Sequence, residues 1–328
     1  MNLTRNVSNR SVSVIFETTK CSLDILNDRV EDIQSFNIIS IALSVTHTII
    51  ALTSILTNGL VITGILGTPS LHSPSNVLLC CLAITDFLAG AVTGSALIAL
   101  HISRALENYK IFCTSHLTTF LTAYFLSGVS FLTLTAVSLD RLLALKLHLR
   151  YRAIVTIPRI ITLEAGISII TGIFMVTPFL PHFTDFELIV GTVMVFGLIV
   201  NLPTYITIFK IVQRHRCAIK VLNDQSRRFH GQGDKEFSKL KRSSLTMAAV
   251  FVVFLICYIP HTCVSFAYYV SESRTMGTKL RLTYDLSVVL VLLNSTLNPL
   301  LYCFRIKEIQ QAVHRVIQKG ISTLRANL

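Results

Sequence analysis

Residues 286–304 read LSVVLVLLNSTLNPLLYCF, an apolar run with no aspartate, glutamate, lysine or arginine. Because a helix rises about 1.5 Å per residue, about 20 apolar residues cross a hydrocarbon core of about 30 Å. The run therefore predicts a membrane-spanning helix. Its second half nevertheless contains two asparagines, a serine, a threonine and a proline, and polar groups inside a bilayer are costly unless they have partners. We expect those partners on other helices.

The rest of the chain repeats this apolar pattern. Of its 328 residues, 52% are hydrophobic and 14% are charged, and its mean hydropathy is +0.64, which is far from the balance of a soluble domain. Seven long runs cannot all be core helices of one soluble protein of this size. We predict an all-α membrane protein, a seven-transmembrane helix bundle with a short amphipathic C-terminal surface helix. The predicted spans are residues 37–66, 75–103, 111–145, 156–180, 185–216, 238–271 and 282–304.

The lysines and arginines predict the orientation of the bundle. Residues 141–159, 210–242 and 305–325 hold 20 of the 29 basic residues, and short cytoplasmic loops carry such an excess. We therefore expect residues 305–328 in the cytoplasm and residues 1–36 outside a plasma membrane. The basic residues are divided among loops, which favours contact with anionic membrane lipids and argues against nucleic-acid binding. The predicted outer segment contains three N-x-S/T glycosylation sequences, which begin at Asn2, Asn6 and Asn9.

Residues with catalytic or metal-binding chemistry are few. The chain contains no nucleophile or metal-ligand motif, so we expect no enzyme activity. A polytopic transporter is the alternative function, but transporters need a charged substrate pathway and often have repeated halves. Only Asp86 and Glu164 lie deep inside the predicted spans.

Cys21 and Cys113 lie on the predicted outer side, where a disulfide between them is compatible with the sequence but is not established by their spacing.

Asp86 lies in the middle of the second predicted span, where an ionised carboxylate needs partners or water. If the seven helices form a bundle, polar residues of the other spans can point inward and meet it. Such a cluster would be a hydrated cavity that holds a small cation by oxygen ligands. The alternative is that serines such as Ser130 and Ser295 only form hydrogen bonds between helices. The polar residues at similar depth are Asn58, Ser130, Asn294, Ser295 and Asn298.

Two further features mark the predicted spans. Pro260 and Pro299 are expected to kink the sixth and seventh spans, because proline removes a backbone hydrogen bond. Asp140 and Arg141 end the charge-free part of the third span. There the arginine either reaches the lipid headgroups or pairs with its neighbour.

Several of these positions together resemble the rhodopsin-like (class A) G-protein-coupled receptors, over about residues 37–318. Each motif alone is weak, but six in order on a seven-span topology are specific. The motifs are Asn58 in span one; Leu82, Ala83 and Asp86 as LAxxD; Asp140-Arg141 as a variant of D-R-Y; Tyr205 in span five; Cys257 and Pro260 as a variant of C-W-x-P; and Asn298-Pro299-x-x-Tyr302.

The resemblance implies roles for the matching residues. It implies coupling to a heterotrimeric G protein and no cofactor other than an allosteric sodium ion, which favours the inactive state. Arg141 would be locked against Asp140 at rest and, once released, would meet the G-protein α-subunit beside Tyr205 and Tyr302. The implied sodium ligands are Asp86, Ser130, Asn294, Ser295 and Asn298. The implied switch also includes Tyr258, Pro260 and Pro299.

Departures from the family pattern concern the ligand more than the fold. Tryptophan is absent, Gly197 occupies the usual position of the span-five proline, and the loop before span five is short and has no cysteine. These features are similar to the melanocortin and lysophospholipid/cannabinoid branches. Ala123 replaces the aspartate that anchors cationic amines. A neutral or lipid-like extracellular ligand is expected, although the same residues could be core packing. The candidate ligand residues are Phe120, Ala123, Tyr124, Ser127, His261, Thr262, Phe266 and Tyr284.

Overall fold

The computed structural model describes residues 33–147, 150–177, 186–225, 232–270 and 278–326, and all regular structure within these ranges is helical. A 3₁₀ turn, Pro69–Leu71, joins the first two helices, and a helical turn, Tyr151–Ile154, follows the third. The main helices are α1 (Ile33–Leu66), α2 (Pro74–Ala105), α3 (Tyr109–Leu147), α4 (Ile157–Phe174), α5 (Phe186–Gln225), α6 (Gln232–Val270), α7 (Thr278–Arg305) and α8 (Lys307–Ala326).

Helices α1 to α7 each contain a segment that is long and apolar enough to cross a membrane. The prediction of an all-α, seven-helix membrane protein is therefore confirmed. We call the end of the bundle where α2 ends and α3 begins the Cys113 end. The opposite end, where α3 ends, is called the Arg141 end.

Helix α1 buries polar side chains on one face and exposes aliphatic side chains on the other. Its buried residues include Ser40, Ser44, His47, Ser54 and Asn58, which recur at intervals of three, four or seven and therefore share one helical face. Large aliphatic residues cover the outward surface of the helix instead. The apolar side chains can face lipid, whereas the polar side chains need partners inside the bundle. The outward residues are Ile38, Ile41, Val45, Ile49, Leu52 and Leu56.

Helix α2 carries the central acidic residue of the predicted cluster, and its local structure determines where that residue lies. The helix begins at Pro74 after the cap Ser73, whose side chain accepts a hydrogen bond from the Asn76 backbone N–H. A π-helical turn, Ala89–Gly94, interrupts it. A Cβ atom added at Gly94 would lie 2.7 Å from the Ala51 Cβ, so this glycine permits close approach of α1 to α2.

Helix α8 follows α7 directly and is amphipathic, as predicted. Ile309 and Ala312 are buried, and the Ala312–Val313 backbone lies about 3.5 Å from a Cβ built on Gly64 of α1. Ile317 and Ile321 are 40% and 47% exposed. Their exposure fits a helix that lies on a membrane surface, because apolar side chains can enter the headgroup region there.

Cys113, near the start of α3, is disulfide-bonded, and its partner is not among the cysteines that the structure shows as free, namely Cys80, Cys81, Cys257, Cys263 and Cys303. Cys21, the partner considered from the sequence, lies outside the described residues. The three glycosylation sequences at Asn2, Asn6 and Asn9 also lie outside them.

Gly197 of α5 packs against an aromatic ring of α3. A Cβ atom added there would lie 2.0 Å from Phe131 Cζ, far inside contact distance, and Phe131 in turn stacks on Phe254 of α6 with ring centroids 5.2 Å apart. We therefore expect Gly197→Ala to lower the unfolding free energy by about 1–3 kcal/mol, because the Phe131 ring must move. Thermal unfolding of the purified protein in detergent measures this loss.

Gly191→Ala is the matched control for this prediction. Gly191 lies in the same helix, and a Cβ added there meets no atom within 4 Å. The substitution is therefore expected to be neutral or to stabilise by up to about 1 kcal/mol through helix propensity. Equal unfolding temperatures for the two variants would contradict the proposed clash.

Candidate functional site

Asp86, which lies on α2 just before the π-helical turn, is the centre of a polar cluster inside the bundle. The residue is only 2% exposed. The Asn298 side chain of α7 donates a hydrogen bond from Nδ2 to Asp86 Oδ2 over 2.8 Å. The Ser295 backbone carbonyl lies in the same cluster, 3.5 Å from Ser54 Oγ. Asp86 and Asn298, two of the five predicted sodium ligands, are therefore in direct contact.

Helix α1 joins this cluster through Asn58 and Ser54. Asn58 Nδ2 donates to the Ser295 backbone carbonyl over 2.8 Å, and Ser54 Oγ donates to the Asp86 backbone carbonyl over 2.9 Å. Asn58 was singled out from the sequence, whereas Ser54 was missed. Its position four residues before Asn58, on the same helical face, was the signal that could have found it.

Ser130 and Asn294, the other two predicted ligands, are buried but do not bond Asp86 directly. They are 4% and 1% exposed. Ser130 Oγ, Asn294 Oδ1 and Asn298 Oδ1 have no hydrogen-bond partner among the described residues. A buried oxygen without a partner costs about 1–3 kcal/mol. The cluster thus offers several oxygen atoms to an ion or to water.

Tyr258 of α6 connects α6 to α3 above the cluster. Its hydroxyl donates to Ser127 Oγ over 2.9 Å, and its ring stacks on Phe254 with centroids 4.0 Å apart. Because Phe254 also stacks on Phe131, three aromatic rings form a continuous stack between the two helices. A displacement of α6 must rearrange this stack.

At the Arg141 end, Asp140 and Arg141 form an ion pair within α3. Both residues are buried, and Arg141 Nη2 lies 2.5 Å from Asp140 Oδ2. Arg141 Nη1 also donates to Ser243 Oγ of α6 over 3.1 Å. From the sequence, Arg141 was expected either to reach the lipid headgroups or to pair with Asp140. The structure shows the pair with Asp140. The contact with Ser243 ties α3 to α6.

Two residues that the sequence analysis missed hold the Asp140 carboxylate. The Tyr151 hydroxyl donates to Oδ1 over 2.6 Å, and Ser75 Oγ of α2 donates to Oδ2 over 2.7 Å. Burial and the neighbouring Asp140 charge raise the pKa of Tyr151 to about 12, so its hydroxyl keeps its proton at neutral pH. Neither residue had a sequence signal, because both contacts depend on how the helices and the turn after α3 come together.

Tyr205 of α5 completes the arrangement at this end. Its hydroxyl lies 2.6 Å from Ser138 Oγ and donates to the Met247 backbone carbonyl of α6 over 3.0 Å. Helices α3, α5 and α6 are therefore joined by polar contacts close to Arg141.

Pro260 and Pro299 lie inside α6 and α7, which continue through them. The Tyr302 side chain lies outside the described residues.

A comparison with known protein families agrees with the resemblance that the sequence motifs indicated. Residues 57–302, well over half of the chain, match the family model described as 7 transmembrane receptor (rhodopsin family). The chain belongs to the rhodopsin family of seven-transmembrane receptors. Members of this family are receptors and not enzymes, and the match gives no support to the transporter alternative. The closer similarity to the melanocortin and lysophospholipid/cannabinoid branches stays a prediction.

The candidate ligand residues of this receptor fall mainly into two groups. Phe120 and Tyr124 of α3 pack with Phe186 of α5, with ring centroids 5.0–5.5 Å apart. His261 of α6 lies 5.2 Å from the Tyr284 ring of α7, and its Nδ1 is 3.0 Å from Ser287 Oγ. These contacts join α3 to α5 and α6 to α7.

The remaining candidates have other surroundings. Ser127 accepts the Tyr258 hydrogen bond, and Thr262 donates to a carbonyl of its own helix. Phe266 is 52% exposed, and Ala123 is half-buried. A groove of about 540 Å³ lies between α5 and α6 at the Arg141 end, and none of the eight candidate residues lines it.

Proposed function

We propose that this receptor binds an extracellular ligand and activates heterotrimeric G proteins by rearrangement of its helices. The observation that supports this best is the set of polar contacts at the Arg141 end. There Arg141 bonds Ser243 of α6, and Tyr205 of α5 bonds Ser138 of α3 and the α6 backbone. Separation of α6 from α3 would break these contacts and expose a cationic side chain to a partner. Such a two-state element is what a transmembrane signal requires.

The proposed orientation follows the charge of the loops. The Arg141 end would face the cytoplasm, because the segments at that end carry most of the basic residues. The Cys113 end would then be extracellular in the plasma membrane, with residues 1–36 available for glycosylation at Asn2, Asn6 and Asn9. The aromatic side chains of α3 and α5 support a ligand with an apolar body, as a lipid-like molecule would have.

We also propose that a sodium ion binds beside Asp86. The cluster supplies a carboxylate and several oxygens without partners among the described residues, from Ser130, Asn294 and Asn298. Hard cations prefer such oxygen ligands. Sodium would stabilise the present packing of α2, α3 and α7 and so oppose rearrangement.

The proposed receptor activity is tested by nucleotide exchange. We expect the purified receptor in lipid nanodiscs to accelerate GTPγS uptake by at least one of the main Gα classes, measured without added ligand against empty nanodiscs. Solute uptake into vesicles that contain the same protein should stay at the background level. Absence of exchange with every Gα class, together with ligand-independent uptake, would overturn the proposal.

Ser243→Ala is expected to raise this ligand-free exchange several-fold. The substitution removes a hydrogen bond from a charged donor, and such bonds are worth about 1.5–3 kcal/mol, so the present arrangement of α3 and α6 loses stability relative to the rearranged one. Thr246→Ala is the matched control, since Thr246 Oγ1 donates to the Arg242 carbonyl of its own helix. Unchanged exchange in Ser243→Ala would show that this contact does not restrain α6.

A further inference from the structure

The groove between α5 and α6 at the Arg141 end is a cavity that neither the Asp86 cluster nor the candidate ligand residues explain. Its volume of about 540 Å³ falls in the range of roughly 300–1,000 Å³ that is usual for ligand sites. Ile208 of α5 and Ser244 of α6 line it and are 2% and 0% exposed. The groove therefore reaches inward as far as the contact between the two helices.

The sides of the groove are apolar and face outward from the bundle. Leu202, Ile206 and Phe209 line it from α5 and are 61%, 47% and 52% exposed. They lie within Ile189–Arg214, the segment of α5 that is long and apolar enough to cross a membrane. Exposed apolar side chains at such a depth contact lipid tails, because the hydrocarbon core contains no water. A molecule that enters the groove from the side therefore comes from the bilayer.

The end of the groove nearest the end of α5 is polar. Lys210 and Gln213 line the groove there, and both side chains are exposed. Lys210 follows Ile206 by four residues and Gln213 follows Phe209 by four, so each lies one turn beyond an apolar lining residue on the same face. The groove is thus apolar along most of its length and ends in an ammonium group and an amide.

Further positive charge lies around this polar end. Arg214 follows Lys210 by one helical turn, and Arg242 lies near the groove on α6; both are exposed. Residues 201–214 and 241–250 contain no aspartate or glutamate. Among the described residues, no carboxylate forms an ion pair with any of these three cations. The charge at the end of the groove is therefore complementary to an anionic headgroup.

We propose that this groove binds an anionic phospholipid, with one acyl chain between α5 and α6 and the phosphate group beside Lys210. The lysine ammonium is a point charge that suits phosphate oxygens, and the Gln213 amide can donate hydrogen bonds to them. Each cation near a membrane surface favours an anionic lipid by about fivefold. The inference adds a lipid site to the proposed receptor function and depends only on the insertion of α5 and α6 in a membrane.

An ordinary lipid-facing surface is the competing explanation. The chain has a net charge of +12, so anionic lipids should be enriched around the whole protein near its basic segments. In that case the groove would show no greater headgroup preference than other outward surfaces. The two explanations differ in where on the protein an anionic lipid is preferred, and this can be measured on the wild-type receptor.

The first experiment uses phosphatidylserine with a photoactivatable diazirine in one acyl chain and phosphatidylcholine with the same chains. Each is a minor component of phosphatidylcholine nanodiscs that hold the full-length receptor, and the labelled peptides are mapped by mass spectrometry. We expect phosphatidylserine to label residues 202–213 and 244–248 at least about fivefold more than phosphatidylcholine does. The reference is the outward surface of α4 near the same end, where Ile161 and Leu163 are exposed.

Two outcomes of this mapping would overturn the proposal. Equal headgroup preference at the groove and at the α4 surface would show that only the overall charge of the protein attracts the lipid. Absence of label in residues 202–213 and 244–248 would show that lipid does not enter the groove, as expected if a second copy of the receptor covered it.

The second experiment assigns the headgroup preference to a residue. Lys210→Gln is expected to lower the ratio of phosphatidylserine to phosphatidylcholine label at the groove several-fold, to about the ratio at α4. Lys146→Gln is the matched control, since Lys146 is an exposed cation at the same end of α3, and it should leave the ratio unchanged. An unchanged ratio in a folded Lys210→Gln receptor would contradict the inference.

The third experiment fills the groove. Ala248→Phe is expected to reduce the label of both lipids in residues 202–213 several-fold, because Ala248 lines the groove from α6. Ile256→Phe is the control, since Ile256 lies two turns further along the same face of α6 and is 63% exposed. Equal labelling in the two variants would contradict an acyl chain between the helices. If Ala248→Phe does not fold, the wild-type map and Lys210→Gln still decide.

Nucleotide exchange measured on the same nanodiscs separates this inference from the proposed function. A headgroup preference confined to the groove, without exchange by any Gα class, would support the lipid site and contradict G-protein activation. Ligand-free exchange without that preference would support G-protein activation and overturn the lipid site.

Discussion

Arg141→Ala is expected to lower ligand-free and ligand-stimulated nucleotide exchange by about tenfold or more, while the amount of receptor at the cell surface stays near the wild-type level. The loss follows from the position of Arg141 as the buried cation at the end of α3, which becomes available to a G protein only when α6 moves away. A buried charged contact of this kind is typically worth 2 kcal/mol or more, which corresponds to at least about tenfold. GTPγS uptake and surface labelling of the same cells measure the two quantities.

The structure explains why folding should survive this substitution. Removal of Arg141 takes one partner from Asp140, but Tyr151 and Ser75 still donate hydrogen bonds to both carboxylate oxygens. The carboxylate is therefore not left without partners, which is the usual cause of severe destabilisation. Arg315→Ala, on the exposed face of α8, is the control and should leave exchange unchanged. A parallel loss of exchange and surface expression in Arg141→Ala would indicate a folding role instead.

Asp86→Asn is expected to abolish the effect of sodium on the receptor. In the wild type, sodium at ten times its dissociation constant should stabilise the bundle by about 1.4 kcal/mol and lower ligand-free exchange. The variant keeps the shape of the side chain but loses the negative charge that balances the ion. Its thermal unfolding temperature and exchange rate should therefore be the same in sodium chloride and in choline chloride of equal ionic strength, a comparison that removes general screening effects.

Glu164→Gln is the matched control for the sodium experiment. Glu164 is another acidic residue deep inside the spans; it is buried on α4 and accepts a hydrogen bond from Thr133 Oγ1 over 2.7 Å. It lies outside the Asp86 cluster, so its neutralisation should leave the sodium response intact. A sodium response that persists in Asp86→Asn, or that disappears in Glu164→Gln alone, would place the ion elsewhere.

Much of the Asp86 cluster was predictable from the sequence, because a polar or ionised side chain inside a bilayer is unfavourable unless other polar groups contact it. A carboxylate in one apolar run and amides in two others require common partners. In the structure Asn298 bonds Asp86 directly, and Ser54 links Asp86 to Asn58, which bonds the Ser295 carbonyl. The buried ion pair between Arg104 and Asp285 at the Cys113 end was not predicted. Arg104 and Asp285 lie near the ends of apolar runs, where a charged side chain ordinarily reaches headgroups or water. Their burial could therefore not be predicted from the sequence.

The sequence by itself determined that the chain crosses a membrane seven times, which residues avoid lipid, and where an amphipathic helix follows the last span. Each of these properties depends on the length and periodicity of a single segment, and the bilayer acts on every segment in the same way. Only the tertiary structure decided the pairings, such as Arg141 with Ser243, Tyr151 with Asp140, and Arg104 with Asp285 across 181 positions. A pairing depends on the rotation and depth of two packed helices, which the composition of neither helix specifies.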